Sequence, residues 1–138
     1  YSSFLNAICN KKSSKYLSFT PSPRQNLVRQ FVSWGFENSE HDCNLDQISE
    51  ILFASRRTLI QGTKESYGMG PMEMMKRLRL EQVNWILRSP DARADKNFKT
   101  ISEIAQHYRF QSRGHFAKAY QQIFHETPSE TWLKSANV

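Results

Sequence analysis

Residues 44–59, Asn44-Leu45-Asp46-Gln47-Ile48-Ser49-Glu50-Ile51-Leu52-Phe53-Ala54-Ser55-Arg56-Arg57-Thr58-Leu59, decide the fold, because residues 100–116 repeat their pattern: Thr100-Ile101-Ser102-Glu103-Ile104-Ala105-Gln106-His107-Tyr108-Arg109-Phe110-Gln111-Ser112-Arg113-Gly114-His115-Phe116. Leu45, Ile48, Ser49 and Leu52 align with Ile101, Ile104, Ala105 and Tyr108 at an offset of 56. Ser55, Arg56, Leu59, Thr63 and Tyr67 align with Ser112, Arg113, Phe116, Tyr120 and Phe124 at 57, and Pro71 with Pro128 at the same offset, so the second turn holds one extra residue. Each copy reads as a short helix, a tight turn, a helix opened by Ser, and a Pro that starts the next helix. Ser, Asp, Asn and Thr open helices because their side-chain oxygens accept an otherwise orphaned backbone N–H. Asn44 with Gln47, and Thr100 with Glu103, have capping-box spacing. A short helix joined by a three- or four-residue turn to a second helix is helix-turn-helix geometry. It requires a small residue where the helices cross, and Ser49 and Ala105 stand there.

Outward from the repeat the chain keeps giving helix signals and little strand alternation. Ser22-Pro23 opens a helix whose face is Leu27, Val28, Phe31 and Val32, closed by Trp34-Gly35-Phe36. Gly68 suits the left-handed position that ends the helix after Ser55. Gly70-Pro71 starts a long helix with Met75, Leu78, Val83, Ile86 and Leu87 on its apolar face, and Ser89-Pro90 stops it. Residues 91–99 read as a charged loop, and Thr127-Pro128-Ser129-Glu130 caps a last helix holding Trp132 and Leu133. The expectation is an all-α fold of about seven helices: two helix-turn-helix subdomains, about 44–67 and 100–124 within a domain over 24–138, joined by a connector at about 71–89.

The chain is one domain's worth by length, 138 residues. Its 19 Lys and Arg against 13 Asp and Glu give +6, which points to a polyanionic partner or simply to solvated charge. No run approaches the roughly 18 apolar residues of a membrane span. Cys9 and Cys43 are too few for a disulfide scaffold or a four-thiolate zinc site, fit a reducing cytoplasm, and read as idle thiols rather than a redox switch. His41, His107, His115 and His125 lack paired ligand spacing, so no metal or other cofactor is expected. No nucleophile–base pair or phosphate-cradling glycine loop suggests an enzyme. No secretory signal is visible. Residues 1–23 are polar around Asn10–Lys15 and read as a linker or tail of an upstream domain, or equally as a bland end. A start at Tyr1 rather than Met fits a fragment.

The two units resemble the C-terminal DNA-binding domain of AraC/XylS-family bacterial transcription regulators. Residues 48–59 are similar to the family's first unit, residues 104–116 with Phe124 and Thr127-Pro128 to the second, and Gly68, Pro71, Arg79 and Leu80 also fit, over roughly residues 24–135. The ending Tyr120–Ser129 resembles the subgroup that includes ethanolamine-operon regulators. The chain departs from the family at Arg109, where the second turn usually has Gly, and at Phe53, the equivalent position in the first. Thr63 stands for a common core Phe. Gly62 and Gly114 each cost about 1 kcal/mol against Ala inside a helix.

The resemblance implies a DNA-binding activator that also touches RNA polymerase. A connector of about 27 Å at about 1.5 Å per residue compares with a DNA turn of about 34 Å. Two recognition helices on one chain then enter successive major grooves, with any mismatch met by DNA bending at about 1–6 kcal/mol. Leu59 and Thr63 face the core, and Arg57, Ile60, Gln61 and Lys64 lie opposite. Arg57 suits guanine, Gln61 adenine and Ile60 a thymine methyl. On the second helix Arg113, Gly114, His115, Ala117, Lys118 and Gln121 face out. By resemblance, Arg57, Ile60, Gln61, Arg113, Gly114, Ala117 and Lys118 match base-facing positions. Arg56, Lys76, Arg77, Arg79 and Arg109 suit phosphates or solvent, and the Ser55 and Ser112 caps sit where a helix N-terminus also suits a phosphate. The plain alternatives are solvated charge at Arg56-Arg57 and Lys76-Arg77, packing for Met69, Met72, Met74 and Met75, and core anchoring for Trp34, Trp85 and Trp132. This chain is expected to act as a monomer on double-stranded DNA, away from membranes, a full-length protein dimerising through an upstream half. The competing function is a helical protein-interaction module whose basic face meets an acidic partner.

Overall fold

The structure, a computed structural model, describes residues 22–136. Among them are eight α-helices and no strand: α1 Pro23–Glu37, α2 Leu45–Ile51, α3 Arg56–Tyr67, α4 Pro71–Arg88, α5 Pro90–Asp95, α6 Ile101–His107, α7 Arg113–Phe124 and α8 Pro128–Ala136. The all-α expectation holds. The readings of residues 1–21 and of Cys9 lie outside the described residues.

The chain divides into two compact units, and the division falls inside α4, between Leu78 and Arg79. In the first unit Leu27, Val28, Phe31 and Val32 of α1 meet Ile48 of α2, Leu59 of α3 and Met74, Met75 and Leu78 of α4 in one buried cluster. Two glycines let these helices approach closely. A Cβ on Gly62 of α3 would meet Val28 Cγ2 at 2.9 Å and Arg24 Cγ at 3.0 Å, and one on Gly35 of α1 would meet Leu78 Cδ1 and Met75 Sδ, each at 2.8 Å. Gly35 therefore does not close α1; it is buried within it, and Asn38 caps the helix by donating its backbone N–H (2.9 Å) and its side-chain amide (2.8 Å) to the Trp34 carbonyl. An Arg24–Glu65 ion pair also ties α1 to α3. Met74 and Met75 are fully buried, whereas Met72 is exposed.

The second unit buries Leu80, Val83, Ile86 and Leu87 of α4 against Ile104, Ala105 and Tyr108, and against Phe116, Ala119 and Tyr120 of α7. Its core carries a polar chain. The Tyr120 hydroxyl accepts from Asn84 Nδ2 of α4 at 2.8 Å and lies 2.7 Å from Thr131 Oγ1 of α8. Glu126 Oε2 stands 2.9 Å from the same Thr131 oxygen, and Lys134 pairs with Glu126 at 3.2 Å. One hydroxyl thus fixes the inner face of α7 against two other helices.

Two expectations are corrected. Residues 91–99 are not simply a charged loop, because Ser89 caps a short helix, α5, with Pro90 in its first turn and its hydroxyl accepting from Ala92 N at 3.2 Å. Arg93 of α5 is buried. Its guanidinium donates to the Ile86 and Leu87 carbonyls, which end α4, and to Ser135 Oγ at 3.2 Å, and it stacks 4.2 Å from the Trp132 ring centroid. Helix-ending carbonyls lack intrahelical partners, and a cation there satisfies both their lone pairs and the helix dipole. Trp85 is not a core anchor; it lies exposed on α4, while Trp34 and Trp132 are partly buried against the two clusters.

The packing makes opposite demands on the two recognition-helix glycines. Gly62→Ala is expected to destabilise, because overpacking costs about 1–3 kcal/mol against a helix-propensity gain of about 1 kcal/mol. Gly114, with nothing within 4 Å of its would-be Cβ, is expected to gain up to about 1 kcal/mol on replacement by Ala; urea midpoints read both.

Tyr120→Phe removes the shared hydroxyl and leaves the buried Asn84 amide short of a partner, at about 1–3 kcal/mol. Burial raises the Tyr120 pKa above its ordinary value, the hydrogen bonds from Thr131 and Asn84 opposing in part, and burial likewise raises Tyr67. The folded state therefore favours the neutral phenol. Stability holds below the ordinary tyrosine pKa of about 10 and falls above it, as the unfolded chain releases protons that the fold retains. Tyr120→Phe is expected to flatten that alkaline fall in pH-dependent urea melts.

Candidate nucleic-acid interface

The helix-turn-helix pairs are built by the same backbone device twice. After α2, Phe53 N–H donates to Glu50 O at 3.3 Å and Ala54 N–H to Ser49 O at 3.0 Å. After α6, Arg109 N–H donates to Gln106 O at 3.0 Å and Phe110 N–H to Ala105 O at 2.9 Å. This paired bonding is a Schellman motif, which requires a left-handed residue just past the helix. Phe53 (φ 53°) and Arg109 (φ 72°) occupy it. The unusual residues flagged in the two turns are thus the two whose backbone is left-handed. Gln111 is the additional residue of the second turn, between Phe110 and the Ser112 cap.

Each turn delivers the chain to a Ser cap. Ser55 Oγ accepts from Thr58 N at 3.0 Å and Ser112 Oγ from His115 N at 3.4 Å. At the equivalent small-residue positions, Ser49 in the first unit is half-buried and Ala105 in the second is buried. Ser49 Oγ is buried without a hydrogen-bond partner.

The recognition helices separate into two faces. On α3, Leu59, Gly62 and Thr63 are buried, and Thr63 satisfies its own hydroxyl on Leu59 O (3.0 Å) and Ile60 O (3.1 Å). Ser55, Arg56, Arg57, Gln61 and Lys64 are exposed and Ile60 is half-buried. On α7, Phe116, Ala119 and Tyr120 are buried, while Arg113, Gly114, His115, Ala117, Lys118 and Gln121 are exposed, as are Ser112 and Arg109 before them. Among the described residues Arg57, Lys64, Arg113 and Lys118 make no ion pair. Arg56 differs: its Nε lies 3.4 Å from Asp46 Oδ1 of α2. Lys76 is exposed on α4 and Arg77 half-buried. Two features escaped the sequence reading. The Phe53 side chain is 96% exposed beside the first recognition helix, and Asp46 reaches the first residue of that helix. The offset-56 alignment holds the signal for the second, since it pairs Asp46 with Ser102.

Among the described residues no cluster of His, Cys, Asp or Glu suits a metal, and no helix is long and apolar enough to cross a membrane. An open apolar groove of about 320 Å³ in the second unit is lined by Ile101, Trp132 and Leu133 with Lys99, Thr100 and Ser129, none of them on α7.

Comparison with known proteins gives one consistent answer. A family described as a helix-turn-helix domain matches residues 48–133. The chain is 33% identical over 104 residues to XylDLEGF operon transcriptional activator 2 of Pseudomonas putida, covering 75% of this chain and 62% of that one. It is 31% identical over 109 residues to the XylDLEGF operon transcriptional activator of the same organism, covering 79% of this chain and 32% of the relative. The chain therefore spans between a third and three fifths of these relatives' lengths. A crystal structure of a transcriptional regulator from Chromobacterium violaceum, described as AraC-type DNA-binding domain-containing, superimposes with a TM-score of 0.71 at 28% identity, covering 81% of this chain and 94% of that one.

The repeat predicts the effect of one hydroxyl. Ser49→Ala, which gives the first crossing the residue of the second, is expected to raise stability by about 1 kcal/mol by removing a buried unsatisfied group. A higher urea midpoint with an unchanged slope is the expected reading.

Proposed function

The chain belongs to the AraC/XylS-type helix-turn-helix family, and from that premise we propose that it is a sequence-specific DNA-binding regulator of transcription that reads duplex DNA through the outer faces of α3 and α7. The observation that carries the reading is the exposed face of each recognition helix: Arg57, Gln61 and Lys64 on one, and Arg113, Ala117, Lys118 and Gln121 on the other, each behind a Ser cap and outside the packing of its unit.

On such a helix arginine can donate to both O6 and N7 of guanine, and glutamine can donate to N7 and accept from N6–H of adenine, in the major groove. Ile60 offers an apolar edge to a thymine methyl. Ser55, Ser112 and Arg109 stand at or just before the N-terminal ends of the recognition helices, where phosphate contacts fix register. Lys76 and Arg77 extend the basic surface along α4. His115 adds a donor on the outer face of α7. Gly114 leaves the α7 backbone open to close approach by a base pair. The duplicated unit supports two successive major-groove contacts by one chain, which gives an asymmetric site and needs no dimer of this chain. The relatives' names as operon activators support positive control, exerted through contact with RNA polymerase in the cytoplasm.

Selection of bound duplexes from a random pool, followed by a footprint, tests the reading. An enriched motif with two protected stretches about one helical turn apart is expected, and a pool that stays random would refute it. On the selected site Arg57→Ala and Lys118→Ala are each expected to cost about 1–3 kcal/mol of binding, as loss of a bidentate base contact does. Losses on random duplex should be much smaller, and equal losses on both would assign these side chains to phosphates.

A further inference from the structure

The duplication supplies an internal comparison that separates what the two units do. At matching positions the first unit has Asp46, Phe53 and Arg56 where the second has Ser102, Arg109 and Arg113. Residues 45–67 carry three basic and three acidic side chains, and residues 101–124 three basic and one acidic. The structure shows where the added acid acts. Asp46, in the first turn of α2, sits 3.4 Å from the Arg56 guanidinium at the start of α3. Arg113, at the start of α7, makes no ion pair among the described residues. Glu103, the one acid of residues 101–124, instead accepts from the Lys99 backbone N–H at 2.9 Å.

The Asp46–Arg56 pair is exposed on both sides, with 70% and 62% of the side chains accessible. Exposed pairs of this kind contribute little to folding, so the pair is not there to hold the unit together. Its effect on a polyanion is larger. A carboxylate within bonding distance cancels the field of the guanidinium well inside a Debye length of about 8–10 Å, and it repels the phosphate that Arg56 would otherwise neutralise. Phe53, at the place of Arg109, adds no charge to compensate.

We infer that Asp46 is an affinity-setting residue. It removes the leading arginine of the first recognition helix from sequence-independent phosphate binding, leaving the second unit to supply the non-specific grip while the first engages where its base contacts are met. This rests on the DNA-binding reading above.

The test uses the whole chain and a random-sequence duplex, titrated across 50–200 mM salt. Asp46→Ser, which copies the second unit, is expected to tighten binding about three- to tenfold at low salt and to steepen the log K against log salt slope by about 0.9, one further phosphate. Asp46→Asn, which keeps the side chain's shape, should do the same. Ser102→Asp should weaken binding by a similar factor and flatten the slope. Glu37→Gln, which removes an exposed carboxylate on α1, should shift affinity less than twofold. Wild-type binding with Asp46→Ser and Asp46→Asn indistinguishable from it, or matched by Glu37→Gln, would overturn this inference and leave the DNA-binding reading standing. Failure of the wild type to bind any duplex at 50 mM salt would overturn both.

Discussion

Everything functional in this fold depends on a left-handed residue at the end of a seven-residue helix. A Schellman turn reverses the chain within a few residues, and only that reversal lets α2 and α6 cross α3 and α7 while pointing the second helix outward. L-residues pay about 1–2 kcal/mol to sit there, and the chain places Phe53 and Arg109 in it rather than glycine. The turn persists because its ends are over-determined. Ile48 and Leu59 are fully buried on either side of the first turn, and Ile104 and Phe116 are buried on either side of the second. Ser55 and Ser112 then close the backbone at the next helix. Strain at one residue is held by packing at its neighbours, as it is wherever a non-glycine residue is kept in that region.

The two units reach the same geometry by different packing. At equivalent positions α3 has Thr63 and α7 has Tyr120. Thr63 bonds back to its own helix and demands nothing from neighbours, so Gly62 beside it can admit α1 to within van der Waals contact. Tyr120 is too long for such an approach. It spans the gap instead and settles its hydroxyl between Asn84 and Thr131. A close crossing is rigid because nothing can move into it, and a satisfied buried network is rigid because breaking it exposes polar groups to a core with no replacement. Either solution keeps a recognition helix from rolling, which base readout requires.

Much of this was legible because helix ends are written locally. Ser22, Asn44, Ser55, Thr100 and Ser112 all cap where their chemistry says they should. The repeat also located the additional turn residue from offsets alone. What failed had physical reasons. Ser89-Pro90 ends one helix, but Ser followed by Pro is equally a helix start, and a six-residue helix is too short to show a period. Arg93 reads as solvent-facing from its charge; its burial depends on the α4 carbonyls and Trp132, which come together only in three dimensions. Trp85 looked like an anchor by size, yet the helical phase that buries Val83, Ile86 and Leu87 turns it outward. Gly62 looked like a weakness because propensity is a property of an isolated helix, and its use is a contact with α1. The Asp46–Arg56 pair needed the crossing angle of α2 and α3, which sequence spacing does not contain.

The separation of faces also explains how one architecture can serve many DNA sequences. On α7 the core takes Phe116, Ala119 and Tyr120, with Ile123 and Phe124 partly buried against it, and the exposed positions between them can change without touching that core. Gly114 makes the point in the extreme, since nothing stands within 4 Å of where its side chain would be. On α3 the same division leaves Arg57, Gln61 and Lys64 unconstrained by the fold. Substitution at exposed sites away from special features typically alters stability by less than about 0.5 kcal/mol, whereas a base contact is worth about 1–3 kcal/mol of discrimination. The outer face can therefore be rewritten with large effects on recognition and small effects on folding. The buried face, with its glycine crossing in one unit and its tyrosine network in the other, has no such freedom. A protein built this way can change what it reads without changing how it is held.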